Sequence, residues 1–236
     1  GMGIERARKH NFSGVVLAFA VACNLSLLGL FKYSDFFIGI LNQLAGSSFT
    51  EPHFLLPLGI SFFTFTQIAF LVDVHRGIAK EYNPIHYLLF VTYFPHLIAG
   101  PILHHKEMMP QFSAPQTYSP QLRSIALGLC IFSIGLFKKT VLADNIAPYA
   151  SSVFNSADQG GAINFVDGWV GALAFTMQLY FDFSGYVDMA IGCSKILGID
   201  LPINFNSPYK SINITDFWRR WHITLGRFFR DYVYIP

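Results

Sequence analysis

Ile163-Asn-Phe-Val-Asp167-Gly-Trp169-Val-Gly-Ala-Leu-Ala-Phe-Thr-Met-Gln-Leu-Tyr180-Phe-Asp182-Phe-Ser184-Gly185-Tyr186-Val-Asp188 is the stretch on which the fold turns. From Ile163 to Phe183 it is long enough to cross roughly 30 Å of hydrocarbon. Acids stand near both ends, and only the middle, Trp169 to Phe181, is continuously apolar. An ionised side chain at the bilayer centre costs about 3 kcal/mol even on the lower scales, so such residues mark an interface or a polar interior. A second concentration of charge follows in Phe217-Trp218-Arg219-Arg220-Trp221-His222 and Arg230-Asp231-Tyr232. Acids, arginines and a histidine thus crowd a sequence otherwise suited to lipid.

Composition carries the same message across the whole chain. Of its 236 residues 53% are hydrophobic, 17% aromatic and only 13% charged, with a mean hydropathy of +0.42. Soluble domains carry about 25% charged residues, so lipid is the expected surroundings. The net charge of +2 is small and the basic residues sit at the ends of apolar runs, which excludes a nucleic-acid partner. Cys23, Cys130 and Cys193 are far apart, show no metal-like spacing, and are expected to be buried thiols. No Walker loop, GxSxG, GxGxxG or HExxH occurs, so neither a nucleotide nor a metal is expected.

The predicted class is all-α, a polytopic membrane bundle with broken and amphipathic helices. Four further apolar runs lead up to the 163–183 segment. Gly14 to Phe31 reads as a retained transmembrane helix, being too long for the core of a signal peptide. Phe54 to Val72 and Leu122 to Phe137 read as spans. Ile85 to Leu103 contains Pro95, His96, Gly100 and Pro101, and is expected to be discontinuous or re-entrant. Val141 to Phe154 is expected to lie on the membrane surface as an amphipathic helix, and Gly185 to Leu201 to pack inside the bundle. Arg6, Arg8, Lys9, Arg76 and Lys80 place the N-terminus inside under the positive-inside rule.

Thr215 is the expected cap of a helix running to about Tyr234. On such a helix Trp218 and His222 are four apart and Arg219 and His222 three apart, which sets the imidazole between an indole and a guanidinium. A neighbouring cation favours neutral histidine, the form that accepts a proton. Arg220 pairs with Asp216, and the same helix also suits a bilayer surface. Gly185 permits a break, and Asp182 and Asp188 are expected to pair with Arg219 or Arg230. Asn204-Phe-Asn206-Ser-Pro208-Tyr209 reads as a tight loop that presents an amide and a ring. His96 is a candidate for facing a cavity, although a hydrogen-bonded structural histidine is the commoner role at such a place.

Leu56-Pro-Leu-Gly-Ile-Ser-Phe-Phe-Thr-Phe-Thr-Gln67 with Asp73 to Gly77, Phe94-Pro-His-Leu-Ile-Ala-Gly-Pro-Ile102, Tyr180 to Gly192, Asn204 to Tyr209 and Asp216 to Pro236 together resemble the membrane-bound O-acyltransferase (MBOAT) family. Within it they are most similar to the bacterial branch of alginate O-acetyltransferase membrane subunits. The resemblance implies a multi-pass protein of the bacterial inner membrane with a narrow waist. An acyl donor, acetyl-CoA or another thioester, serves as substrate from the cytoplasmic side, with no tightly bound cofactor. The acceptor is a hydroxyl of an exported polysaccharide, and a periplasmic or extracellular acetylation partner completes the transfer.

His222 matches the histidine of the branch's Trp-Arg-Arg-Trp-His motif and is the candidate catalytic residue. Asp182, Ser184, Asp188, Asn206, Trp218, Arg219, Arg220 and Asp231 form the expected supporting network. The family's principal catalytic histidine lies in a later Trp-His-Gly-like segment that would begin after Pro236. Residues 1–236 are therefore expected to form one membrane domain, the N-terminal and central part of the family core, lacking part of the active site. A departure is Leu225-Gly-Arg227-Phe-Phe, where relatives carry a Ser and a Trp. Two other readings stay open: D-alanyl or other acyl transfer to a teichoic-acid-like polymer or lipid, and a transporter or channel lined by these charges.

Overall fold

The computed structural model describes residues 13–79, 83–98 and 100–235. Arg6, Arg8, Lys9, His10 and Lys80 lie outside them. Among the described residues the regular structure is helical and no strand occurs, as the apolar runs predict. The chain forms two compact units, Gly1–Ile98 with Ile102–Ser113 and Arg227–Pro236, and Ala99–Pro101 with Ala114–Gly226.

The first unit begins with α1 (Ser13–Ala45), which runs well past the expected end at Phe31. Nothing between Phe31 and Ala45 breaks a helix; the stop comes at Gly46, with φ 59°. None of its residues is buried. At 1.5 Å per residue its 33 residues span about 50 Å, more than a bilayer core needs. The next helix, α2 (Ile60–Arg76), starts later than the apolar run that contains it. Gly59 stands before it at φ 69°, and any Cβ there would collide with the Leu97 carbonyl, so only glycine fits the turn. Gly77 at φ 76° ends it, its N–H donating to Val74 O at 3.1 Å.

The proline-containing stretch is indeed discontinuous. Asn83 caps α3 (Pro84–Thr92) by accepting from the Ile85 N–H at 2.9 Å. Tyr93 then turns extended, a 3₁₀ turn occupies Phe94–His96, and helix resumes as α4 (His105–Ser113). Phe70, Phe90, Tyr93, Met108 and Phe112 are buried and form this unit's core.

The second unit is built on α5 (Leu122–Phe137) and α7 (Phe165–Ile196). The surface helix expected over 141–154 is not a separate element. A π-helical segment, Lys138–Ala143, joins α5 directly to α6 (Asp144–Asp158), and no turn residue interrupts the backbone. The resulting 37-residue run and α1 are both long and apolar enough to cross a membrane. Asn164 caps α7 through the Asp167 N–H at 2.8 Å.

Gly185 does not break α7, as its sequence allowed, but lets it touch α5. A Cβ on Gly185 would come within 2.7 Å of Gly135 O, and one on Gly135 within 2.6 Å of Gly185 O. Two turns further on the same reciprocity joins Gly192 to Gly128, where added Cβ atoms would meet the opposite carbonyl at 2.7 Å in both directions. Small residues let helix backbones meet where burial against lipid gives no driving force. Gly185, Val187, Ala190, Gly192, Ser194, Ile199 and Leu201 are buried, in keeping with the expected inward packing of Gly185 to Leu201.

Large apolar side chains elsewhere point outward: Leu55 is 92% exposed and Leu122 86%. Patches of this extent suit lipid contact. Cys23 and Cys130 are exposed as well and Cys193 half-buried, against the expectation of buried thiols, because they lie on outward faces of apolar helices.

Candidate functional site

The helix predicted from Thr215 to Tyr234 is broken at the histidine it was expected to carry. Asn213, rather than Thr215, caps α8 (Ile214–Arg220), accepting from the Asp216 N–H at 2.8 Å. Trp221 is extended and His222 has φ 44°, a left-handed conformation uncommon for a residue with a Cβ. Helix resumes as α9 (Ile223–Phe229), followed by a π-helical turn, Arg230–Tyr234. The break cancels the three- and four-residue spacings that would have set His222 beside Arg219 and Trp218.

What holds the turn is the loop before α8. Asn206 N–H donates to Arg220 O and Ile223 N–H to Asn204 O, both at 2.9 Å, so 204–206 and 220–223 run side by side. The Asn204 side chain is fully buried. Its Oδ1 accepts from the Thr224 N–H at 3.1 Å and from the Thr224 hydroxyl at 2.8 Å, and lies 3.1 Å from His222 Nδ1. A backbone N–H can only donate, so the atom facing Thr224 is the amide oxygen. His222 Nδ1 must then carry the proton, which leaves the lone pair on Nε2. The amide that reaches the histidine is thus that of Asn204. Asn206, the residue expected in the network, is exposed and contributes its backbone.

The imidazole is packed among rings. Phe183 meets it edge-on at 4.9 Å between centroids, and Phe205 lies 6.4 Å away at 28°. Tyr180 and Trp221 extend the cluster around Phe205, and the Tyr209 hydroxyl donates to Thr176 O at 2.9 Å. Burial lowers the His222 pKa to about 4. The neutral form inferred from sequence is found, but its cause is desolvation and not a neighbouring arginine. Arg219 is exposed and Trp218 61% exposed, as suits a bilayer boundary. Arg220 does pair with Asp216, Nε to Oδ2 at 3.0 Å.

The acids of α7 meet lysines instead of the arginines proposed for them. Lys138 Nζ lies 2.5 Å from Asp188 Oδ2, and Lys139 Nζ is 2.7 Å from both Asp182 Oδ1 and Asp144 Oδ1. Asp182, Gly185 and Asp188 follow one another at intervals of three and share the face turned to α5 and its π-helical extension. Phe183, one residue from Asp182, points to His222. The carboxylates and the Phe183 ring that meets the imidazole therefore project from α7 in different directions. Ser184 is buried, and among the described residues its hydroxyl has no partner.

A second polar cluster, which the sequence reading did not assemble, lies in the first unit. The Tyr232 hydroxyl donates to Asp73 Oδ1 at 3.0 Å and sits 3.1 Å from His104 Nδ1. Arg227 forks onto Glu107 at 2.7 and 3.0 Å, so the position noted as a departure from the resembled pattern forms a bidentate ion pair. Arg76 lies over the Tyr232 ring at 5.7 Å and donates to Asp231 O at 3.1 Å. Asp231 itself pairs with Arg230 next to it, at 2.6 Å. Burial and the Arg227 charge lower the His104 pKa to about 4. An acid at position 73, directly after the apolar run Phe54 to Val72, was the available signal. His96 is buried, stacked on Tyr93 at 6.3 Å, with its Nδ1 unpartnered among the described residues. No cluster of metal-ligating residues occurs among the described residues.

The second unit is all-helical, with glycine-mediated contacts and outward apolar faces that suit a membrane protein, and it carries a desolvated histidine on a strained turn. Residues 71–236 match the membrane-bound O-acyltransferase family, MBOAT. The chain belongs to that family, and the expectation drawn from its motifs holds. It is 48% identical over 258 aligned positions to a peptidoglycan O-acetyltransferase of Helicobacter pylori, covering 99% of this chain and 48% of that protein. A probable alginate O-acetylase, AlgI, of Azotobacter vinelandii is 45% identical, covering 93% of this chain and 44% of that one. A teichoic acid D-alanyltransferase of Bacillus subtilis is 34% identical, covering 78% and 46%. The chain spans less than half the length of each of these relatives.

Proposed function

We propose that this chain is part of an O-acyltransferase that moves an acetyl group onto a hydroxyl of an exported glycan. Family membership and the peptidoglycan and alginate acetylating relatives support the reaction class. The observation that carries it to a residue is the Asn204-held His222, neutral, with its Nε2 lone pair unclaimed by Asn204. In the proposed step the acceptor hydroxyl oxygen attacks the carbonyl carbon of an acetyl thioester such as acetyl-CoA. The C–O bond forms as the C–S bond breaks, and the hydroxyl proton ends on the leaving thiolate, with His222 Nε2 assisting that transfer. General-base assistance of this kind is worth about 10²–10⁴ in rate. Asn204 fixes the tautomer, and the ring cluster excludes water.

On this reading the protein sits in the bacterial inner membrane as a multi-pass component, its N-terminus inside, and a periplasmic or extracellular partner completes the transfer. Trp218 and Arg219 would meet lipid at the boundary, while the Lys138–Asp188 and Lys139–Asp182 pairs hold α7 in place. A chromosomal His222→Ala change, followed by mass spectrometry of glycan released from the cell wall, tests the proposal. Loss of O-acetyl groups with unchanged protein level supports it. Full acetylation removes His222 from the chemistry. The teichoic-acid relative favours D-alanyl transfer as a second reading, which the same spectra separate by the mass of the added group.

A further inference from the structure

A cavity of about 340 Å³ lies within the first unit, between α1, the turn into α2 and the broken segment after α3. Leu27 and Phe31 of α1, Leu58 and Phe63 at the start of α2, and Val91 and Leu97 make its walls. Of its three polar lining side chains, Thr64 is buried, and Asn24 and Thr92 are turned back on their own helices. Asn24 Nδ2 donates to Ala20 O and the Thr92 hydroxyl to Leu88 O, each at 2.8 Å. The volume is at the lower end of the range for small-molecule sites, about 300–1,000 Å³. A sugar in such a space would leave its hydroxyls without partners. A hydrocarbon chain would not.

A cation stands beside the cavity, next to its lining residues and not among them. Lys32 follows Phe31 and Ser61 follows Ile60, both lining residues, and Lys32 Nζ donates to Ser61 Oγ at 3.4 Å across the α1–α2 gap. An ammonium beside a hydroxyl is a phosphate-binding pair, with three rotatable N–H donors available. Apolar walls leading away from a cation match the two halves of a membrane lipid. The exposed apolar surface of α1 puts lipid within reach.

We propose that the cavity holds one acyl chain of an anionic phospholipid whose phosphate is bound by Lys32 and Ser61. The lipid is a resident of the fold and not a substrate, so the proposal rests on membrane-family membership and not on the acyl-transfer reading.

The test uses the intact protein in nanodiscs of equal phosphatidylglycerol and phosphatidylcholine, released gently and weighed by native mass spectrometry. The expected result is one retained lipid, with phosphatidylglycerol favoured about fivefold, the effect of one basic residue near an anionic surface. Lys32→Gln should bring the ratio close to one. Leu58→Trp should abolish retention of either lipid; Leu58 is 78% exposed, so the change fills the cavity without disturbing the core. Equal retention of both lipids by the wild type overturns the headgroup assignment, and undiminished retention by Leu58→Trp overturns the site. Acetylation of the glycan is read in parallel and should be unchanged in both variants.

Discussion

His222 Nδ1 lies 3.1 Å from the side-chain oxygen of Asn204, eighteen residues earlier, and that oxygen also receives both the N–H and the hydroxyl of Thr224. One buried amide therefore sets the tautomer of the imidazole and anchors the restart of the helix behind it. A histidine at φ 44° is a backbone outlier of the kind that persists only when its surroundings over-determine it, at about 1–3 kcal/mol. The bonds to Asn204 and the paired backbones supply that constraint.

Asn204→Asp is expected to raise the His222 pKa from about 4 by about 1–2 units, since a carboxylate within hydrogen-bonding distance favours imidazolium. The acid limb of the pH–activity profile should move to higher pH by the same amount. Asn204→Leu should lower thermal stability by about 2–4 kcal/mol, because it strands the Thr224 N–H and hydroxyl in a buried site.

His222 titrates in the folded protein near 4, below the unfolded value of about 6.5. Between those values the unfolded chain binds more protons, so stability falls as pH drops through the window and levels off below it. Wild type should lose on the order of 1–2 kcal/mol relative to His222→Gln between pH 7 and pH 4, allowing for the partial exposure of the ring. Paired thermal melts across that range measure it. A constant difference would place the titration elsewhere.

Gly185→Val and Gly192→Val should each destabilise the α5–α7 contact by about 3 kcal/mol or more, because the new atoms meet backbone that cannot move aside. Gly29→Ala on α1 is the matched control. A Cβ there meets nothing within 4 Å, and replacing a mid-helix glycine should stabilise by about 0.5–1 kcal/mol. Melting temperatures in detergent should shift in opposite directions.

Tyr232→Phe removes the donor to Asp73 and leaves that acid buried without its partner, an expected cost of about 1–3 kcal/mol. Asp73→Asn should cost less in the Tyr232→Phe background than in the wild type. A double-mutant cycle measured by chemical unfolding gives the coupling, and additive effects would show that the bond contributes nothing.

Local patterns were legible where both partners lie within a turn or two. The Asp216–Arg220 pair needed only a four-residue spacing, and the break near Pro95 only the geometry of proline. The extent of α1 was underestimated because a hydropathy run ends at the first charges, whereas a helix ends where the backbone turns. Gly128 and Gly135 on one helix and Gly185 and Gly192 on the other repeat at seven residues, a visible signal whose meaning as a contact depended on the two helices meeting. The lysines that take up Asp182 and Asp188 carried no such mark, since their reach depends on a π-helical segment that composition does not announce.

The order of residues alone determined that this is an all-helical membrane protein of the acyltransferase family, and that His222 belongs to a charged motif after an apolar span. These follow from hydropathy and spacing, which act along the chain. The three-dimensional fold decided which amide faces His222, which cations neutralise the acids, and that the helix through the motif is broken. Those outcomes depend on hydrogen bonds and close approaches between segments far apart in sequence. A buried donor takes whichever acceptor the packing brings to within about 3 Å, and no local pattern records that choice.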